Sequence, residues 1–108
     1  MASKAQGALT GEAIWMDGEF VKWDDANIHI LTHTLHYGLG VFEGIRCYRT
    51  EDGRSAVFRL SEHLRRLYDS AKINLMEIPY DIDVLTDAVL ESLRRNNLSE
   101  GYIRPLVY

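Results

Sequence analysis

The order of elements along the sequence predicts an α+β fold: short antiparallel strands, then two amphipathic helices, then a closing strand. Asp17-Gly18 stands between two apolar runs as a two-residue hairpin signal, because both turn positions require positive φ. From Leu60 onward the apolar residues change from alternation to helical spacing. The strict strand–helix alternation of a doubly wound parallel sheet is missing.

The hairpin is expected over residues 14–23, followed by a loop at Asp24-Asp25-Ala26-Asn27. Residues 28–40 (IHILTHTLHYGLG) fit neither period. Val41 to Arg49 reads as a strand, with Val41, Glu43, Ile45 and Cys47 on one face and Phe42, Gly44, Arg46 and Tyr48 on the other. A glycine in the middle of such a strand marks a close approach by another group or a ligand, which singles out Gly44. Glu51-Asp52-Gly53-Arg54 is a turn, and Ser55 to Arg59 the returning strand. Ser61 is the expected N-cap of a helix over 62–74, whose buried stripe comprises Leu60, Leu64, Leu67, Tyr68, Ala71 and Leu75. A second helix over 81–96 buries Ile82, Leu85, Val89 and Leu93, carries a Glu91–Arg95 pair on its wet side, and ends at Asn96-Asn97. Gly101 to Tyr108 (GYIRPLVY) is again strand-like.

A chain of 108 residues is one domain's worth of polypeptide. Residues 1–12 read as a mobile leader and 13–108 as the domain. Twelve basic against sixteen acidic residues give a net charge of −4, which argues against a nucleic-acid partner. The sequence has no apolar run long enough to span a bilayer, so no membrane role is expected. One cysteine, Cys47, rules out an internal disulfide framework and points to the cytoplasm. The chain stops inside an apolar run at Tyr108, as a fragment or the first domain of a longer protein would.

Three groups of residues bear on chemistry. His29, His33 and His36 have the i, i+4, i+7 spacing of a three-imidazole metal site if the segment is one helix. Gly38 and Gly40 argue against that helix, and no metal is expected. His63, Arg66 and Ser70 share one helix face, either as a solvated stripe or as a binding site for a phosphate dianion. Arg104 lies in an apolar strand with Tyr102 on the same face. It either sits in water on an edge strand or waits for a ligand carboxylate. Phosphate-binding loops, a C-x-x-C pair and a G-x-S-x-G elbow are missing from the sequence.

The segment HTLHYGLGVFEGIRCY (33–48) resembles the N-terminal signature of the branched-chain amino-acid aminotransferases, in the fold-type IV group of pyridoxal-phosphate enzymes. The likeness continues in order through IWMDGEFVKWDDANIHI (14–30), VFRLSEHLRRLYDSAKI (57–73) and GYIRPLVY (101–108). Arg46-Cys47-Tyr48 and Tyr102 to Pro105 favour the bacterial branched-chain enzymes over D-amino-acid aminotransferase or aminodeoxychorismate lyase, which share the looser core motif. A stand-alone, non-catalytic binding domain is the reading from a different functional class.

The resemblance implies the small α+β domain of such an enzyme, antiparallel strands packed with two helices. It implies pyridoxal 5'-phosphate as cofactor, and leucine, isoleucine or valine with glutamate and their 2-oxo acids as substrates. It also implies a following C-terminal domain and a homo-oligomer built on dimers. Carried over by position, Arg66 of His63-Leu64-Arg65-Arg66 contacts the cofactor phosphate. Tyr37, Phe42, Gly44, Tyr102 and Arg104 fall at the substrate pocket, with Arg104 helping to accept the side-chain carboxylate of glutamate. None of the three lysines, Lys4, Lys22 and Lys72, matches the family's catalytic lysine. No catalytic residue is therefore assigned within this chain, and alone it is expected to be inactive.

Overall fold

The computed structural model describes residues 10–108, so Lys4 and most of the expected leader lie outside the described residues. The first hairpin pairs β1 (Ala13–Met16) with β2 (Glu19–Lys22), Met16 opposite Glu19. Asp17 and Gly18 turn it with φ of +52° and +97°, the left-handed pair that a two-residue hairpin turn demands. A single 3-10 turn follows at Trp23–Asp25. The ambiguous stretch resolves into one short helix, α1 (His33–Tyr37), closed by Gly38 in the left-handed conformation.

The strand expected over 41–49 is broken. It runs as β3 (Val41–Phe42) and β4 (Ile45–Arg49), and its partner is likewise split into β6 (Gly101–Ile103) and β7 (Leu106–Val107). Both breaks have one cause. The register is the same on either side of the gap, so Glu43 lies opposite Pro105 and Gly44 opposite Arg104. Pro105 has no N–H to give the ladder. A single bond crosses the gap, from the Glu43 N–H to the Pro105 carbonyl at 3.1 Å. The returning strand β5 (Ser55–Val57) is shorter than expected and lies on the other side of β4, in the order β5-β4-β6.

Two helices cover one face of this ribbon, α2 (Leu60–Ile73) and α3 (Ile82–Arg95). Their stripes meet the sheet in a core of Ile45, Leu64, Leu67 and Leu85, with Trp15, Val57, Tyr68 and Ile103 among the side chains packed around it. Each such leucine contributes about 1.5–3 kcal/mol by leaving water. Leu75 does not join them: it is 95% exposed, one residue past the α2 C-cap Asn74, with φ of +57°. The α2 N-cap is Arg59, in a left-handed conformation, rather than Ser61. The Arg59 guanidinium bonds Glu62 at 2.9 Å, and the Ser61 hydroxyl caps nothing.

Side chains lock the ends of the fold. Asn96, the α3 C-cap, accepts the Glu12 and Ala13 N–H groups and donates to the Ala13 carbonyl, clipping α3 to β1. Tyr108 donates its hydroxyl to both carboxylate oxygens of Asp17, at 2.7 and 2.8 Å, tying the first hairpin to the last residue. The expected Glu91–Arg95 pair forms at 3.0 Å on the outer face of α3. Among the described residues no helix is long and apolar enough to cross a membrane.

Candidate functional site

The continuous register of β3–β4 against β6–β7 sorts residues strictly by parity. Glu43, Ile45 and Cys47 are buried toward the helices, with Val41, Ile103, Pro105 and Val107 partly buried beside them. Phe42, Arg46, Tyr48, Tyr102, Arg104 and Leu106 stand exposed on the opposite face. Four of the six expected site residues, Phe42, Gly44, Tyr102 and Arg104, thus share one open face.

They also touch. The Arg104 guanidinium lies 4.4 Å from the centre of the Phe42 ring and 5.3 Å from that of Tyr102. Its Nη2 donates to the Tyr102 hydroxyl at 2.9 Å. The Tyr102 ring occupies the space above Gly44, where an added Cβ would meet its Cζ at 3.0 Å and its hydroxyl oxygen closer still. Arg46, not among the expected site residues, flanks Tyr102 at 5.5 Å. The result is a wall of aromatic faces flanked by two guanidinium groups, of which Arg104 is held by the Tyr102 hydroxyl. Arg104 is exposed beside the edge strand β6, as the first of its two readings has it, with its guanidinium held against Phe42 and Tyr102.

Arg66 lies on the other side of the strand, at the edge of α2. Its Nε and Nη2 donate to Oε2 and Oε1 of Glu43, both at 2.7 Å, a two-point fork. His63 Nδ1 lies 2.8 Å from the same Oε1. Glu43 is 5% exposed, whereas 68% of the Arg66 side chain is open. The Arg66 hydrogen bonds hold the Glu43 carboxyl below its ordinary value, against the opposing effect of burial, and His63 adds to the lowering. An ionised carboxylate only accepts, so His63 carries its proton on Nδ1. The helix face is therefore not a simple solvated stripe, and Ser70 takes no part in this cluster. Arg66 forms no other hydrogen bond or ion pair among the described residues, and its Nη1 takes no part in the fork.

Glu43 was missed because, on its sequence alone, it is one member of an otherwise apolar strand face. That was itself a signal, since a carboxylate among Val41, Ile45 and Cys47 needs a buried cation or donor. Tyr37 stands apart: it is exposed on α1, and its ring packs against His33 at 5.2 Å and His36 at 6.2 Å. The three central histidines do not converge. His29 Nδ1 accepts the Leu31 N–H, and His36 Nε2 bonds the Ile30 carbonyl. Among the described residues no group of His, Cys, Asp or Glu is placed to hold a metal ion. Lys22 ends β2 and Lys72 lies in the last turn of α2, and neither contacts the cluster.

The chain is 56% identical over 95 residues to the branched-chain-amino-acid aminotransferase of Pseudomonas aeruginosa, covering 88% of this chain and 31% of that protein. The crystal structure of the Escherichia coli branched-chain amino acid aminotransferase superposes with a TM-score of 0.86 at 48% identity, over 90% of this chain and 32% of that one. The enzyme from T.th., solved as a complex with N-(5'-phosphopyridoxyl)-L-glutamate, superposes with a TM-score of 0.88 at 47% identity, over 93% and 34% of the two chains. The chain thus spans about a third of the length of the relatives it matches. The sequence model of the amino-transferase class IV family matches residues 40–108, from just before β3 through β7, and the chain belongs to that family.

Proposed function

We propose that this chain is the small domain of a longer, cytoplasmic, pyridoxal-phosphate-dependent aminotransferase. The enzyme would exchange the amino group between leucine, isoleucine or valine and 2-oxoglutarate, and work as a homo-oligomer built on dimers. The observation that carries the reading is the Phe42–Arg104–Tyr102 cluster on the open sheet face. A transaminase of this kind must take a branched apolar side chain and the charged side chain of glutamate in one pocket. Phe42 and the Tyr102 ring offer apolar contact to the first, while Arg104 and the Tyr102 hydroxyl offer charge-assisted hydrogen bonds to the second.

The donor set also fits the cofactor's phosphate. Arg66 presents an outward guanidinium edge, with the N–H bonds that Glu43 does not use left for a dianion. Pyridoxal phosphate, when bound, supplies electron withdrawal at the substrate's α-carbon. This chain's own part is to hold the phosphate through Arg66 and to orient the substrate side chain through Phe42, Gly44, Tyr102 and Arg104. Tyr37, exposed on α1 and apart from this cluster, is assigned to the substrate pocket of its own or a neighbouring subunit. Of the described lysines, neither Lys22 nor Lys72 lies in this cluster, so we assign the base that moves the α-proton to the C-terminal domain that the family likeness implies. The exposed Ile30, Leu31 and Leu35 beside Tyr37 support a further domain or subunit packed over α1.

The test uses the full-length protein loaded with pyridoxal phosphate, with leucine and 2-oxoglutarate. Steady glutamate production is expected. Turnover of a D-amino acid or of an aminodeoxychorismate in its place overturns the reading.

A further inference from the structure

We infer that Glu43 is a positioning residue for the cofactor site: its buried carboxylate fixes the Arg66 guanidinium so that the free edge faces the phosphate. This rests on the reading of Arg66 as the phosphate-binding arginine. The geometry supports it at each joint. Glu43 is 5% exposed and sits at the break between β3 and β4, its backbone N–H bonded to the Pro105 carbonyl. Its side chain is held from a third direction by His63 at 2.8 Å. Every polar atom of the buried carboxylate is satisfied. Arg66, by contrast, is a long and largely exposed side chain that would otherwise sample many rotamers. Two parallel bonds at 2.7 Å fix both its reach and its plane.

A carboxylate beside a phosphate-binding arginine has two opposite effects. It orients the guanidinium, and it partly cancels the guanidinium's charge. The cancellation is weakened by water around the 68% exposed Arg66 side chain but not removed, since the pair is in contact at 2.7 Å. Orientation is not screened, since the fork sets which N–H bonds remain outward. The two effects give opposite signs on removal of Glu43, so the sign of the change decides between them.

The experiment titrates pyridoxal phosphate into the cofactor-free full-length protein and reads binding by absorbance, without turnover. Glu43→Gln keeps the shape and loses the two-point acceptor. Glu43→Asp keeps the charge and draws the carboxylate back by one methylene. Both are expected to weaken binding roughly tenfold, the size of a charge-assisted hydrogen bond that has lost its alignment. In an Arg66→Ala background, Glu43→Gln is expected to change the affinity by less than about threefold, since a residue acting through another has nothing left to position. Glu43→Asp makes the same test if the glutamine variant does not fold. Unchanged or tighter binding in the Glu43 variants overturns the proposal and leaves the Arg66 reading standing. An equal loss with and without Arg66 overturns it in favour of a structural role. Undiminished affinity in Arg66→Ala alone overturns the Arg66 reading itself.

Discussion

Tyr102 and Gly44 share one volume: the phenol ring lies where a side chain at residue 44 would project. The two are on adjacent antiparallel strands and on the same open face. The ring's position then presents its hydroxyl to Arg104 at 2.9 Å.

Gly44→Ala is therefore expected to push Tyr102 off its site rather than merely stiffen the strand. The atoms in the way are the tip of an exposed phenol that can swing aside, so the change in stability is expected to be small, while the Tyr102–Arg104 bond is lost. Denaturant unfolding of the full-length protein measures the first. A larger loss of kcat/KM for glutamate than for leucine measures the second.

Arg104→Met keeps an apolar stem over Phe42 and removes the charge. Glutamate brings a second carboxylate that needs a partner on leaving water, and leucine does not. Loss of one charge-assisted hydrogen bond, about 1.5–3 kcal/mol, lowers the glutamate kcat/KM roughly 10–150-fold. The leucine value is expected to fall by a clearly smaller factor. Half-reactions followed by cofactor absorbance give the two separately, and an equal fall would place Arg104 in support of the fold instead.

Arg66 and Arg65 are neighbours in α2 with different surroundings. Only Arg66 is forked by Glu43. Arg66→Ala is expected to weaken pyridoxal phosphate binding by roughly 10–150-fold, the range for a lost charge-assisted contact. Arg65→Ala is expected to change it little. Spectral titration of the two variants side by side checks the contrast.

The Tyr108 hydroxyl carries a pH signature. Desolvation, its hydrogen bond to the Asp17 carboxylate and the charges of Asp17 and Tyr80 push it up to about 12. The unfolded phenol titrates near an ordinary value of about 10. Its stabilising contribution is thus complete below about pH 10 and is lost as the pH rises from there toward 12. The difference in unfolding free energy between wild type and Tyr108→Phe is expected to hold from pH 7 to 9 and shrink above 10. Urea midpoints across that range measure it.

Much of this arrangement was legible in the sequence wherever a local rule acted alone. Asp17-Gly18 specified its turn, and the stripes at Leu64, Leu67 and Ala71 and at Leu85, Val89 and Leu93 specified the buried helix faces. The period of two placed Phe42 and Gly44 together on the open face. What stayed hidden depended on a partner distant in sequence. Glu43 meets Arg66 only because β3 packs on α2, and the break in both strands follows from Pro105 facing Glu43 across a register no local pattern reveals. Leu75 fits the helical spacing but lies beyond the C-cap, so the period continued one turn too far. The Arg66, Phe42, Gly44, Tyr102 and Arg104 assignments came from family likeness, and physical reading alone stopped at one candidate anion site.

The single hydrogen bond from Glu43 to Pro105 bears on how such enzymes are redesigned. It splices the residue that holds Arg66 to the segment that carries Tyr102 and Arg104. Loop grafting that imports residues 101–105 from a relative with another substrate range would move the carbonyl that anchors Glu43. With Arg66 as the proposed phosphate ligand, the recipient is then expected to bind its cofactor less tightly even though the transplanted face is complete. Residues 41–46 and 101–107 form one transplantable cassette, and swapping both strands together is the exchange that conserves the joint.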